Sequence, residues 1–139
     1  MPSTNMETFL RLHSQADTKD DLTSERSENA MIDAFQPDIQ IVEPPSLPHG
    51  GVHKGIDAWQ AMHHQMRDTW EQKVEVLHAW DVPDSDVIVV QTDMDWTAKA
   101  TGKRARFLAI EVLHFRDAKI ARVEIYLQDT HQILETLEA

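Results

Sequence analysis

Glu111 is the residue in this chain whose type and setting point most directly to chemistry. It lies in residues 106–115, RFLAIEVLHF, where strand alternation puts Phe107, Ala109, Glu111, Leu113 and Phe115 on one face. A carboxylate among such neighbours loses its hydration. It must then gain a donor or a cation, or raise its pKa and keep its proton. The alternative is a strand-end carboxylate or one paired with an arginine.

The eight histidines call for a metal test. His49 and His53, near Glu43, could in principle supply two imidazoles and a carboxylate. His49 precedes a glycine pair and is not on a helix, so the spacing fixes no geometry, and no metal or cofactor is expected. His63 and His64 are helix neighbours that point apart. His63 falls on an apolar stripe, where it could hold a substrate or Glu111, or simply sit satisfied at the core edge.

These residues are carried by 139 residues, expected to form one domain over residues 1–139. There are no cysteines, which excludes disulfides, thiolate metal sites and cysteine nucleophiles. A net charge of −11 argues against nucleic acid or an anionic membrane surface as partner. No apolar run is long enough to span a bilayer. The start MPSTNMETF lacks the features of a secretory signal, so a cytoplasmic address is expected.

The elements that must position the site follow from periodicity. Phe9, Leu10, Leu12, His13 and Ala16 mark a first helix over residues 6–16. A solvated stretch, DTKDDLTSERSEN, leads into a second helix capped by Asp20 or Asp21 and ended by Pro37. Residues 38–43 alternate as a strand, and PPSLPHGG reads as an extended loop. A third helix from Gly55 carries Ile56, Trp59, Met62, His63, Met66 and Trp70 on one stripe. Residues 73–82, 87–99, 104–116 and 119–128 read as four antiparallel strands joined by short turns. Asp129 caps a final helix.

This order predicts an α+β domain in which a curved antiparallel sheet wraps around helices. If Glu111 faces inward, its companions are Phe107, Ala109 and Leu113, then Val123, Ile125 and Leu127 on the next strand, and Met94, Trp96 and Ala98 on the preceding one. Trp59, Met62 and Trp96 would be walls for an apolar ligand or simply core. On the outer face Leu108, Ile110 and Val112 leave an apolar centre that suggests a homodimer interface.

This succession, with IVEPP at residues 41–45, LPHGGVHKG at 47–55, TG at 101–102, EVLHFRDAKI at 111–120 and YLQDT at 126–130, resembles the SnoaL-like and ketosteroid isomerase-like branch of the nuclear transport factor 2-like superfamily. The resemblance covers nearly the whole chain. It implies a cone-shaped sheet around an apolar cavity, a homodimer through the outer sheet face, and an apolar small-molecule ligand. The isomerase's general base corresponds to Glu43 and its protonated oxyanion donor to Glu111. The isomerase's helical tyrosine donor has no counterpart, because the only tyrosine is Tyr126 on the outer face; His13 is the nearest substitute. His63 corresponds approximately to a second, supporting tyrosine. The implied function is cofactor-free acid–base chemistry of an isomerase or cyclase on an apolar carbonyl compound. The other reading is a non-catalytic binding or structural module.

Overall fold

The computed structural model of the protein describes residues 3–16 and 19–139. Asp17 and Thr18 of the expected solvated stretch, and Met1 and Pro2 at the start, lie outside the described residues. Ser3 opens α1 (Thr4–Gln15) by accepting a hydrogen bond from the Met6 N–H, the role short polar side chains fill at a helix start. The second helix, α2 (Glu25–Ala34), is capped by Ser24 and not by Asp20 or Asp21. Asp21 is committed elsewhere: its Oδ1 accepts from the N–H and hydroxyl of Thr23 and from the N–H of Gln72.

Strand β1 (Phe35–Glu43) follows directly and begins earlier than its sequence predicts, with Pro37 inside it. Proline is tolerated because pairing with the last strand is interrupted between Phe35 and Gln40, so its missing N–H costs no ladder bond. Part of the expected loop is a strand as well: β2 (Gly51–Lys54) folds back antiparallel on β1, with Glu43 opposite Gly51. After α3 (Ile56–Thr69) come β3 (Trp70–Asp81), β4 (Val87–Ala98), β5 (Arg104–Arg116), β6 (Lys119–Leu127) and α4 (Thr130–Glu135). Asp129 caps α4 by accepting from the Gln132 N–H. The β5–β6 turn places Asp117 and Ala118 at φ 51° and 62°, the mirror-image geometry that suits a tight hairpin.

The six strands form one curved sheet in the order β2-β1-β6-β5-β4-β3. Neighbours are antiparallel except β1 and β6, which run parallel. The sheet is therefore mixed, not wholly antiparallel, because a long connection through α3 and the meander separates these two strands and leaves their relative direction free.

Helices pack on the concave face. One apolar cluster joins Phe9, Ala34, Trp59, Met62 and Met66 to Ile39, Ile41, Val90, Leu113 and Val123. A second, toward the other end of the sheet, holds Leu47, Trp70, Met94, Trp96, Phe107, Ala109 and Ile133. A fully buried side chain of this kind contributes about 1.5–3 kcal/mol. Among the described residues no helix is long and apolar enough to cross a membrane.

Candidate functional site

Glu111 lies opposite Val90 on β4 and Ile125 on β6. The parallel β1–β6 register, with Val42 opposite Glu124, brings Glu43 to the level of Ile125. Glu43, Ile125 and Glu111 thus form one lateral row on the concave face, the two carboxyl-bearing residues separated by about two strand spacings, roughly 10 Å between Cα atoms.

Both residues line a cavity of about 130 Å³ at the junction of the two apolar clusters. That volume is close to the ~150 Å³ of a protein cavity that admits benzene. Its walls include Phe9, Trp59, Met62, Met94, Trp96, Leu113, Val123, Ile125 and Leu127. Phe107 and Ala109, expected in the same wall, are packed within the second cluster and do not line this cavity. Phe107 stacks edge-on against Trp96, with ring centroids 5.3 Å apart.

Glu111 has no hydrogen-bond partner among the described residues, and the surface it keeps faces the cavity. Burial, reinforced by the negative charge of Glu43, pushes its carboxyl up to about 7. Near neutral pH it therefore exists in both protonation states. Glu43 is buried at the end of β1 with its Oε2 lacking a hydrogen bond. The Nε2 of His49 lies 3.6 Å from that oxygen. His49 is itself buried against Trp70 and Trp96, with ring centroids 5.6 and 6.3 Å away.

The loop over residues 44–50 explains how a residue beside a glycine pair reaches the interior. Leu47 N–H donates to the Pro44 carbonyl and Gly50 N–H to the Leu47 carbonyl. A Cβ on Gly50 would stand 2.3 Å from the Pro44 oxygen. The loop is thus closed on itself, turning His49 toward Glu43. His53 does not join them, since its Nε2 meets the His49 carbonyl at 2.7 Å. Among the described residues no group of three or more His, Cys, Asp or Glu could hold a metal ion.

His63, on the buried stripe of α3, also lines the cavity, tilted over Trp59 at 4.7 Å with an unpartnered Nε2. Burial pulls its pKa down to about 4, against the opposing pull of Glu28, so the ring is neutral at physiological pH. His64 turns instead to Glu28 at 2.7 Å, and Arg67 holds the other Glu28 oxygen at 3.2 Å. His13 stacks on Phe9 and borders a smaller adjoining cavity of about 100 Å³ that Glu111 also lines. It is absent from the wall shared by Glu43, Glu111 and His63.

A strand starting at Lys73, as the sequence predicts, leaves Gln72 out of the inward alternation. The strand begins at Trp70, and alternation from that buried tryptophan would have turned Gln72 inward. It is fully buried and lines the cavity. The interior is consequently a mostly apolar chamber containing one carboxyl with a raised pKa, a second carboxyl facing it, and several polar side chains with unused hydrogen-bonding capacity. Such a chamber can take a proton from carbon with one carboxylate and stabilise the resulting oxyanion with the other group in its acid form.

A family model described as a SnoaL-like domain matches residues 20–123. No curated protein is similar enough in sequence to match. Among solved structures, an NTF2-like protein of unknown function from Burkholderia pseudomallei is 20% identical with a TM-score of 0.83, over 99% of this chain and 100% of that one. TerC, co-crystallised with polyporic acid, is 18% identical with a TM-score of 0.81, over 99% and 100%. A putative SnoaL-like polyketide cyclase from Jannaschia sp. is 14% identical with a TM-score of 0.75, over 98% and 90%. These likenesses establish a shared fold.

Proposed function

The chain belongs to the SnoaL-like domain family, and on that premise we propose that it binds an apolar carbonyl compound and carries out cofactor-free acid–base chemistry of the isomerase or cyclase type. The observation that carries this reading is the placement of Glu43 and Glu111 in one row facing one apolar cavity, with the Glu111 pKa raised by burial and by Glu43.

In this mechanism the Glu43 carboxylate removes a proton from the carbon next to the carbonyl. The C–H electron pair moves into the new carbon–carbon double bond as the carbonyl oxygen becomes an enolate. Glu111 in its acid form donates a hydrogen bond to that oxygen, in a setting where water does not compete. Returning the proton from Glu43 to a different carbon isomerises the compound; attack of the enolate carbon on a second carbonyl closes a ring, breaking that carbonyl's π bond to an alkoxide that takes the proton back from Glu43. His63, neutral and with its Nε2 unpartnered, orients the ligand from α3. His13, on the smaller cavity, assists only a ligand that extends past Glu111.

Deuterium uptake from heavy water at the α-carbon of small cyclic ketones tests the reading. Glu43→Gln is expected to lower the exchange rate by about 10²–10⁴-fold while the variant still binds phenols, which imitate an enolate oxygen. Binding of phenols without exchange of any ketone by the native protein would sink the catalytic reading and leave a ligand-binding module.

The outer sheet face supports pairing of two copies. Leu108 and Tyr126 are exposed there, beside half-buried Ile110 and Val112, a patch suited to a two-fold interface. Sedimentation equilibrium should show a dimer that Leu108→Glu dissociates; a native monomer would remove this part of the proposal.

A further inference from the structure

Gln72 and Trp96 are direct partners across β3 and β4, which sets their Cβ atoms about 5 Å apart on the concave face. Both are fully enclosed by protein and both line the main cavity. Neither the amide oxygen nor the amide nitrogen of Gln72 has a hydrogen-bond partner, and the Trp96 indole N–H has none either. Buried polar groups are nearly always paired, because leaving one unpaired destabilises the fold. Three such atoms on two cross-strand partners that line one cavity therefore mark a place built to meet a ligand.

The backbone holds Gln72 in this orientation. Its carbonyl accepts from the Leu22 N–H at 2.6 Å, and its N–H donates to Asp21 Oδ1 at 3.3 Å. The segment before α2 thus clamps the start of β3, and the amide cannot swing to solvent without breaking that clamp.

The donor and acceptor pattern selects the ligand chemistry. The indole offers one donor; the amide offers donors on nitrogen and an acceptor on oxygen. A carbonyl or an anion could use the donors but would leave the Gln72 oxygen unmet. An ammonium group could use that oxygen but nothing would accept from the indole. A hydroxyl group satisfies all three, accepting from Trp96 and from the Gln72 nitrogen while donating to the Gln72 oxygen.

We infer that Gln72 and Trp96 form a hydroxyl-recognition subsite, so that the ligand is an apolar ring compound bearing a hydroxyl group in addition to the oxygen that meets Glu111. This inference deepens the proposed function by naming the ligand's second polar group. It rests on the cavity being a ligand site and not on catalysis within it.

Affinity measurements with hydroquinone, naphthalene diols and biphenyl diols test it, each diol set against the parent mono-ol and the monomethyl ether. The native protein is expected to bind at least one diol tenfold or more tightly than both comparators, because the ether oxygen accepts but cannot donate to Gln72. Gln72→Met keeps the side-chain length and removes both amide atoms; it should abolish the diol advantage. Trp96→Phe, which removes the indole N–H, should reduce the advantage independently and serves if the first variant fails to fold. A native protein that favours no diol by even threefold would overturn the subsite, showing that water alone occupies this wall. So would a diol advantage retained in both variants. Phenols that bind without a diol preference would remove the subsite but leave the Glu43 and Glu111 mechanism standing, whereas a diol preference without ketone exchange would remove catalysis and leave the subsite.

Discussion

Glu43 and Glu111 face the same cavity from β1 and β5 with only β6 between them, at the level of Ile125. The relationship matters because each carboxyl changes the chemistry open to the other. Two like charges in an apolar chamber oppose each other, and burial already disfavours the anion, so the pair is biased toward one acid and one carboxylate.

Removal of the Glu43 charge is expected to lower the Glu111 pKa without returning it to the ordinary carboxylate range. Burial is the larger cause of the shift and persists in Glu43→Gln, while the charge contribution disappears. Carboxyl carbon NMR titration of the native protein and the variant reads this directly. An unchanged Glu111 midpoint would show that the two groups do not interact.

Stability against pH should carry two opposing contributions. Glu111 has a folded pKa raised from 4.5 to about 7, so the stability linked to it is full below pH 4.5 and is lost as pH rises through 7. His63 has a folded pKa lowered from 6.5 to about 4, so its contribution is full above pH 6.5 and is lost as pH falls through 4. Each spans up to roughly 3 kcal/mol, in nearly the same window and with opposite sign. Urea unfolding should show Glu111→Gln losing stability toward acid more steeply than the native chain, and His63→Leu losing it toward neutrality. Parallel curves for all three proteins would contradict both assignments.

Gly50→Ala tests the loop that seats His49. The added Cβ would meet the Pro44 oxygen at 2.3 Å and the Pro45 Cα at 2.8 Å, both backbone atoms that cannot turn aside. The loop must open, at a cost of about 1–3 kcal/mol, and His49 should leave Glu43. A lowered melting temperature together with a changed His49 imidazole NMR signal is the expected result; a variant with native stability and an undisturbed His49 signal would show that the loop is not held closed as described.

Ala118→Gly should stabilise the protein. Alanine at φ 62° bears a left-handed backbone cost of about 1–2 kcal/mol, which exceeds the roughly 0.5–1 kcal/mol that glycine loses through its greater freedom when unfolded. A net gain of about 0.5–1 kcal/mol in chemical denaturation is expected. A loss would mean that the turn relaxes around alanine at little cost.

The inward face of β5 was legible because alternation is a local property. Once residues 104–116 are read as a strand, Phe107, Ala109, Glu111 and Leu113 must share a side, and their apolar company settles which side is buried. The turns that join the last four strands followed from turn residues, and the cap of α4, Asp129, is a short polar side chain adjoining an apolar period. Pro37 misled the reading of β1, since its place in a strand depends on a break in pairing with β6 that no local pattern encodes. Gln72 was not legible because β3 starts at Trp70, three residues before the predicted Lys73, and His49 because a glycine-flanked loop carries no periodicity from which to infer direction.

By itself the sequence determined the element order, the face on which Glu111 and His63 lie, and the membership of this chain in a SnoaL-like family. Only the tertiary structure decided that Glu43 stands level with Glu111, that His49 turns inward to meet it, and that Phe107 and Ala109 belong to a packed cluster while Gln72 and Trp96 line the cavity. The physical reason is that side-chain direction along a strand is fixed by neighbouring residues. Lateral register between strands distant in sequence is fixed by the packing of the whole sheet against its helices.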